Sequence, residues 1–573
     1  MVVLNGLLIC SISLAITYAF IFRKKMTMPQ WKLSAIPIGI IITIGVVWFY
    51  LHNFQDGLFY HHLGPDMISF TSSADWIGTH GNMLATAPET RELVVVALRW
   101  GLPACLAVIK LALHTSVYQI IFPVILIIFS HCIVLTTLLI TDKYQQDWQK
   151  TGQIIAIAIL LQGSLLNFMN EGFYPYIIGV GYFSVISAFS QLHSRALKLP
   201  YQSLIIVALC IGTLIVTCSE LFSLTAMFLI GVTVIHAIRK ISIKVNIFFL
   251  LAMCLGIILA YPLSCKIVQF TLANSAYARN EGYLQPSWLW PSEILSLMNI
   301  YSHVQKYLAM GGAPNVTHRS VLNIIPSFLL SLWVLYELTK WRKNTHYIVM
   351  IIGIFGLLLV NIFLIRHTNY LYSKLAVAFA PGLICLFFIK ISQNKQFYLA
   401  KLSIANTCIL FSAYAFLQDQ TYTKTYIDIE SLHTIHNKFK NDTCFFITDV
   451  RGLRQIKTVK ALRYIDLIDD ILVNSFLDGR LLNTWTLTTM WGAPLPKMDV
   501  RNKAVVELLS KKIMLIGNKT HFPKALLQDH QPILKTRSYY VFDTGSNLAE
   551  LVQGEDEDAN MQRIYAKLHE TYR

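Results

Sequence analysis

Apolar stretches separated by short polar connections run along the chain as far as residue 417. A helix that crosses a membrane needs about 20 mostly apolar residues. Such stretches fall at 2–22, 33–51, 116–140, 152–167, 174–190, 202–218, 220–236, 245–262, 320–338, 347–365, 375–391 and 402–417. The pattern predicts about twelve transmembrane helices. From Gln418 to Arg573 it changes: short β-prone runs, Cys444 to Ile447, Lys512 to Ile516 and Tyr539 to Phe542, alternate with helical patterns such as Val505 to Lys511. That alternation predicts a small α/β domain, with Gly517-Asn518 as a turn after the second run. The fold expected is a polytopic α-helical membrane protein with a C-terminal extracytoplasmic α/β domain. Its transmembrane domain is 1–417, with outer loops at 52–115 and 263–319, and its soluble domain is 418–573.

Short inner loops of membrane proteins are enriched in Lys and Arg. Arg23 to Lys25 with Lys32, then Arg195 and Lys198, then Arg239, Lys240 and Lys244, then Lys340 to Lys343, then Lys390, Lys395 and Lys401 mark the inner side. These agree with one another if residues 93–140 cross once. Residues 93–113, carrying Arg99 and Lys110, are then an interfacial helix with snorkelling basic heads. No small-residue cleavage pattern precedes Arg23, so the first helix is read as retained. Both chain ends fall outside, and the location expected is the bacterial inner membrane.

Composition sharpens this picture. Of 573 residues, 55% are hydrophobic and 14% charged, against roughly 25% charged in soluble domains. The net charge of +16 sits almost wholly on the inner connections, so it reports topology and gives no reason to invoke nucleic acid. Most of the ten cysteines lie in apolar stretches and none forms a CxxC pair, which argues against a disulfide framework or zinc ribbon. The tail has no Gly-rich phosphate-binding motif, and the acidic run Glu555 to Asp558 reads as a solvated stretch.

Candidate chemistry therefore gathers on the outer face. In the first outer loop Gly64-Pro65 is a turn signal and Asp66 is placed to open a helix. Phe70 and Ala74 follow at helical spacing on the same side. A partly desolvated carboxylate there can act as a general base towards an acceptor hydroxyl; equally, Asp66 can simply cap the helix. Asp56 and Asp75 are secondary acidic candidates, read first as exposed loop residues. Glu171, in the Asn170 to Pro175 turn, and Glu220, between two apolar stretches, are acids near the membrane. Between Arg366 and Lys374 stand Tyr370 and Tyr372 at the outer end of a span, a setting for a lipid-linked phosphate or for an aromatic belt with snorkelling cations. The long loop 263–319 adds Arg279, Trp288, Trp290 and Arg319. His61-His62 lacks a metal-ligand spacing, so no metal site is assigned.

This layout resembles the GT-C class of polyprenyl-phosphate-sugar-dependent glycosyltransferases. Many bacterial members have a catalytic Asp opening a helix in the first outer loop, followed by an aromatic and a small residue, as Asp66, Phe70 and Ala74 do here. The resemblance implies that Asp66 is the acceptor-activating base; similar Tyr and Lys arrangements before a late span occur in such proteins, and Arg366, Tyr370, Lys374, Arg279 and Arg319 are the candidates here for binding the phosphate of the lipid donor. It implies a polyprenyl-phosphate-linked sugar, membrane lipids and an extracytoplasmic glycan, lipid or protein acceptor as partners. This sequence departs from the pattern in three ways: Met67 stands where a second acid is common, Phe70 replaces the commoner Tyr, and an extra span precedes the loop. A divalent metal is compatible with such an enzyme but not indicated, and no cofactor is assigned. A transporter or lipid flippase, and a non-catalytic scaffold, are the competing classes.

Overall fold

The computed structural model describes residues 65–80, 101–146, 151–170, 172–191, 200–239, 243–261, 344–363, 369–393, 401–405, 427–439, 443–448, 512–520 and 531–543, with shorter pieces within 39–47, 54–59, 329–340, 471–487 and 510–567. Along the chain, β1 (Phe54–Gln55) and β2 (Leu58–Phe59) precede α1 (Pro65–His80) and α2 (Gly101–Leu113). Then come α3 (Val117–Lys143), α4 (Gln153–Leu160), α5 (Gly163–Asn170), α6 (Tyr174–Gln191), α7 (Pro200–Thr217), α8 (Ser219–Ile238) and α9 (Ile243–Leu259). After these lie α10 (Thr345–Phe363), α11 (Asn369–Ala378) and α12 (Ala380–Gln393). The tail holds β3 (Ile427–Asp428), α13 (Ile429–Lys438), β4 (Thr443–Thr448), β5 (Ile471–Asn474), β6 (Phe476–Leu477), β7 (Arg480–Leu481), β8 (Thr486–Leu487), β9 (Lys512–Asn518), β10 (Leu534–Lys535) and β11 (Tyr539–Asp543). The chain divides into two compact units. One is Met1–Val46, Leu98–Leu102 and Phe122–Tyr422; the other is Val47–Ala97, Pro103–Ile121 and Thr423–Arg573.

In the first unit the apolar stretches are helical. Those at 174–190, 202–218, 220–236, 245–262 and 347–365 correspond to α6, α7, α8, α9 and α10, and 116–140 corresponds to α3. Among the described residues, α3 and α8 alone combine the length and apolarity of a membrane span; other apolar helices are shorter. On α8, Leu221, Leu224, Phe228 and Val232 are buried whereas Met227, Ile230, Val234 and Ile238 are exposed. Exposed apolar rows also run along α7 (Ile205, Leu209) and α9 (Ile247, Leu250, Leu251, Ile258). A helix apolar on both its packed and its outward face needs an apolar surrounding, which a bilayer supplies. α7 and α9 meet through glycines: a Cβ on Gly256 would stand 2.6 Å from Ile211 Cγ2 and 3.0 Å from the Ala208 carbonyl. Small residues at such crossings let helix backbones approach in membranes.

Two stretches read as single spans are broken. Residues 152–167 form α4 and α5, because Gln162 is buried between them and its Oε1 accepts the Leu165 amide at 2.6 Å. This side chain satisfies one of the free amides that begin α5, and Gly163 follows it. Residues 375–391 are split between α11 and α12 at Phe379. Pro381, second in α12, has no amide with which to continue the ladder from α11. Stretches 33–51, 320–338 and 402–417 fall partly, and 2–22 wholly, outside the described residues.

The second unit joins residues 47–97 and 103–121 to the tail. β1 and β2 pair antiparallel with Gln55 opposite Leu58. The two positions between them are Asp56-Gly57, a dipeptide favoured in two-residue hairpin loops. β2 then pairs with β3, Leu58 opposite Asp428 and Phe59 opposite Ile427. Asp428 also starts α13: its carboxylate accepts the Ser431 amide at 2.9 Å and hydroxyls of Ser431 at 2.8 Å and Ser538 at 2.7 Å. Ser538 lies between β10 and β11, so one buried carboxylate ties strand, helix and hairpin together. Ile429, Leu432 and Ile435 give α13 its buried side. On another side His433 packs edge-on against Tyr118 at the start of α3, with ring centroids 6.1 Å apart.

The tail sheet has six strands in the order β10-β11-β9-β4-β5-β8. β4 is parallel to β5 and β9, while β11 runs antiparallel to β9. All three β-prone runs of the sequence are therefore adjacent strands. Gly517-Asn518 is not a turn: both residues extend β9, opposite Tyr540 and Tyr539. The turn follows at Lys519 and Thr520, where Asn518 Oδ1 accepts both the amide and the hydroxyl of Thr520. The helical pattern at Val505 to Lys511 lies outside the described residues apart from Ser510, and the acidic run 555–558 lies wholly outside them.

Candidate active site

α1 begins at Pro65, where a missing amide costs nothing because the first helical amides have no partner within the helix. Asp66 is thus the second residue of the helix, in the turn where a negative charge is favoured by the helix dipole. Its side chain lies outside the described residues. Downstream, Met67, Phe70, Thr71, Ser73, Ala74, Asp75 and Trp76 are all buried, so the middle of α1 is enclosed on nearly every side. Phe70 and Ala74, four and eight residues after Asp66, are among these buried side chains.

Asp75 is not an exposed loop acid. It is 1% exposed and its Oδ1 accepts from Lys110 Nζ at 2.5 Å. Correspondingly, Lys110 does not snorkel away from α2: its stem lies over Gly78 and its ammonium reaches the Asp75 carboxylate. A buried carboxylate requires such a counter-charge. Asp75 and Asp66 are nine residues apart, two and a half helical turns, which places them on opposite sides of α1.

In the first unit the structure brings together two stretches that the sequence offers separately. Lys374 lies in α11, and its ammonium stands 4.3 Å from the Phe173 ring centroid and 5.8 Å from that of Tyr176. The Tyr176 hydroxyl donates to the Lys374 carbonyl at 2.5 Å. Phe168 completes the aromatic group, packing edge-on against Phe173 and Tyr176. Gly172, with φ at 83°, turns the chain from α5 into α6 and so presents Phe173 to the cation. The rings hold the ammonium by cation–π attraction while leaving it charged. Phe173 and Tyr176 follow Glu171 closely in the sequence, but nothing local there specifies a lysine some 200 residues away as their partner.

Glu220 stands in the first turn of α8, where Cys218 Sγ lies 3.4 Å from its Oε2. Tyr370 is in α11 with its side chain outside the described residues. Asp56, Glu171, Arg279, Arg319 and Arg366 also lie outside them. No protein-family model matches the chain, and no curated protein matches it. Among solved structures, the chain is similar to ArnT from Cupriavidus metallidurans, crystallised bound to undecaprenyl phosphate, with a TM-score of 0.48 and 11% sequence identity, over 90% of this chain and 98% of that one.

Proposed function

We propose that this chain is a GT-C-type membrane glycosyltransferase that moves a sugar from a polyprenyl-phosphate carrier to an extracytoplasmic acceptor. The observation that carries the reading is α1: a helix in the first outer loop that opens on Pro65-Asp66 and buries Phe70 and Ala74 beside that acid. Asp66 takes the proton of the acceptor hydroxyl as its oxygen attacks the anomeric carbon. The bond from that carbon to the phosphate oxygen breaks, and the polyprenyl phosphate leaves with the electron pair. Lys374, steadied by Phe173 and Tyr176, and Arg366 offset the charge of the departing phosphate. Arg279, Arg319 and Tyr370 are assigned to the donor headgroup, and the tail to holding the acceptor. The enzyme works in the bacterial inner membrane with both termini outside.

Asp66→Asn is the test. In proteoliposomes supplied with a panel of undecaprenyl-phosphate-linked monosaccharides and a membrane-lipid extract as acceptor, the wild-type protein releases undecaprenyl phosphate. The Asn variant folds, binds carrier lipid and releases at least about a hundredfold less, the scale at which a lost general base is felt. Full release by the variant would show that Asp66 is not the base.

A further inference from the structure

α1 carries its two acids on opposite sides, and the side away from Asp66 is the one that α2 grips. Lys110 Nζ contacts Asp75 Oδ1 at 2.5 Å, and a Cβ on Gly78, one turn along the same face, would meet Lys110 Cδ at 3.9 Å. The lysine therefore lies along α1 and ends on a carboxylate that is 1% exposed, while remaining 22% exposed itself. Apolar packing around Met67, Phe70, Ala74 and Trp76 would tolerate small rotations of α1 about its axis, because dispersion contacts are non-directional. A charged hydrogen bond is directional. An ion pair at such a site adds little stability beyond what apolar residues of similar size supply, so its contribution is to orientation.

We infer that Lys110 is a positioning residue: by fixing Asp75 it sets the rotation of α1 and thereby where Asp66 points. The inference rests on the proposed role of Asp66. It predicts a separation of stability from turnover that a purely structural pair would not give.

The decisive variant is Asp75→Leu/Lys110→Met, which replaces both charges at once and leaves none buried alone. It is measured in the same proteoliposome assay, with thermal unfolding of the full chain alongside. Positioning predicts a wild-type melting temperature and an unchanged KM for the carrier lipid, with kcat lower by about a hundredfold, the cost of an ångström-scale misplacement of a catalytic group. Wild-type kcat in the folded double variant overturns the inference. If the double variant does not fold, Lys110→Arg decides. It keeps the charge and hydrogen bond but changes the reach, so positioning predicts reduced kcat at unchanged melting temperature and KM, and wild-type kcat again overturns it. Asp66→Asn separates the two readings. An active Asn variant removes the base itself, whereas an inactive Asn variant beside a fully active double variant removes only the positioning role.

Discussion

At the residue scale, the described acids do different work from what their neighbours in the sequence suggest. Asp428 is buried and receives three hydrogen bonds, from the Ser431 amide and hydroxyl and from Ser538. Removing a capping Asp costs about 0.5–2 kcal/mol, and stranding hydroxyls of buried groups adds to that. Asp428→Ala is therefore expected to destabilise the tail by roughly 2–3 kcal/mol, seen as a lower denaturation midpoint; an unchanged midpoint would mean the node is dispensable. The start of α1 was legible because Gly64-Pro65 announces it. Asp75 was not: whether a helical acid faces water or a lysine 35 residues away depends on packing that local pattern does not encode. The same holds for Lys374, whose aromatic partners come from another pair of helices.

At the element scale, polar and small residues inside apolar stretches decide where helices break and cross. Gln162-Gly163 and Pro381 divide two stretches whose hydropathy alone predicts continuous spans. Both breaks were readable from residue types, since a side chain that caps and a proline without an amide are local devices. The crossing of α7 and α9 needs Gly256, where a side chain would run into Ile211 and the Ala208 backbone. Overpacking of this kind costs about 1–3 kcal/mol. Gly256→Leu is expected to lower the melting temperature in detergent by several degrees, and a wild-type value would show that the two helices can part freely. In the tail, β4, β9 and β11 were legible as β-prone runs, but their order in the sheet was not. The hairpin of β1 and β2 has a local signal in the sequence, the Asp56-Gly57 dipeptide between Gln55 and Leu58.

At the scale of the whole molecule, the tail folds as one unit with residues 47–97 and 103–121 rather than as an appended module. β3 supplies β2 with a partner strand, and a two-stranded hairpin alone is marginal in water. A chain ended at residue 417 should leave the β1–β2 hairpin open to proteinase K in proteoliposomes, whereas the full chain protects it. Equal protection in both would show that the hairpin stands without β3. Such a pairing could not be read locally, because nothing in either dipeptide strand specifies its distant partner. It also bears on how the protein is made. Leu58 and its partner Asp428 are some 370 residues apart, and at 5–20 residues per second a ribosome needs roughly 20–75 s to deliver the second after the first. Throughout that interval the segment that leads into α1 is without its partner strand, so its final setting waits until Asp428 has been made.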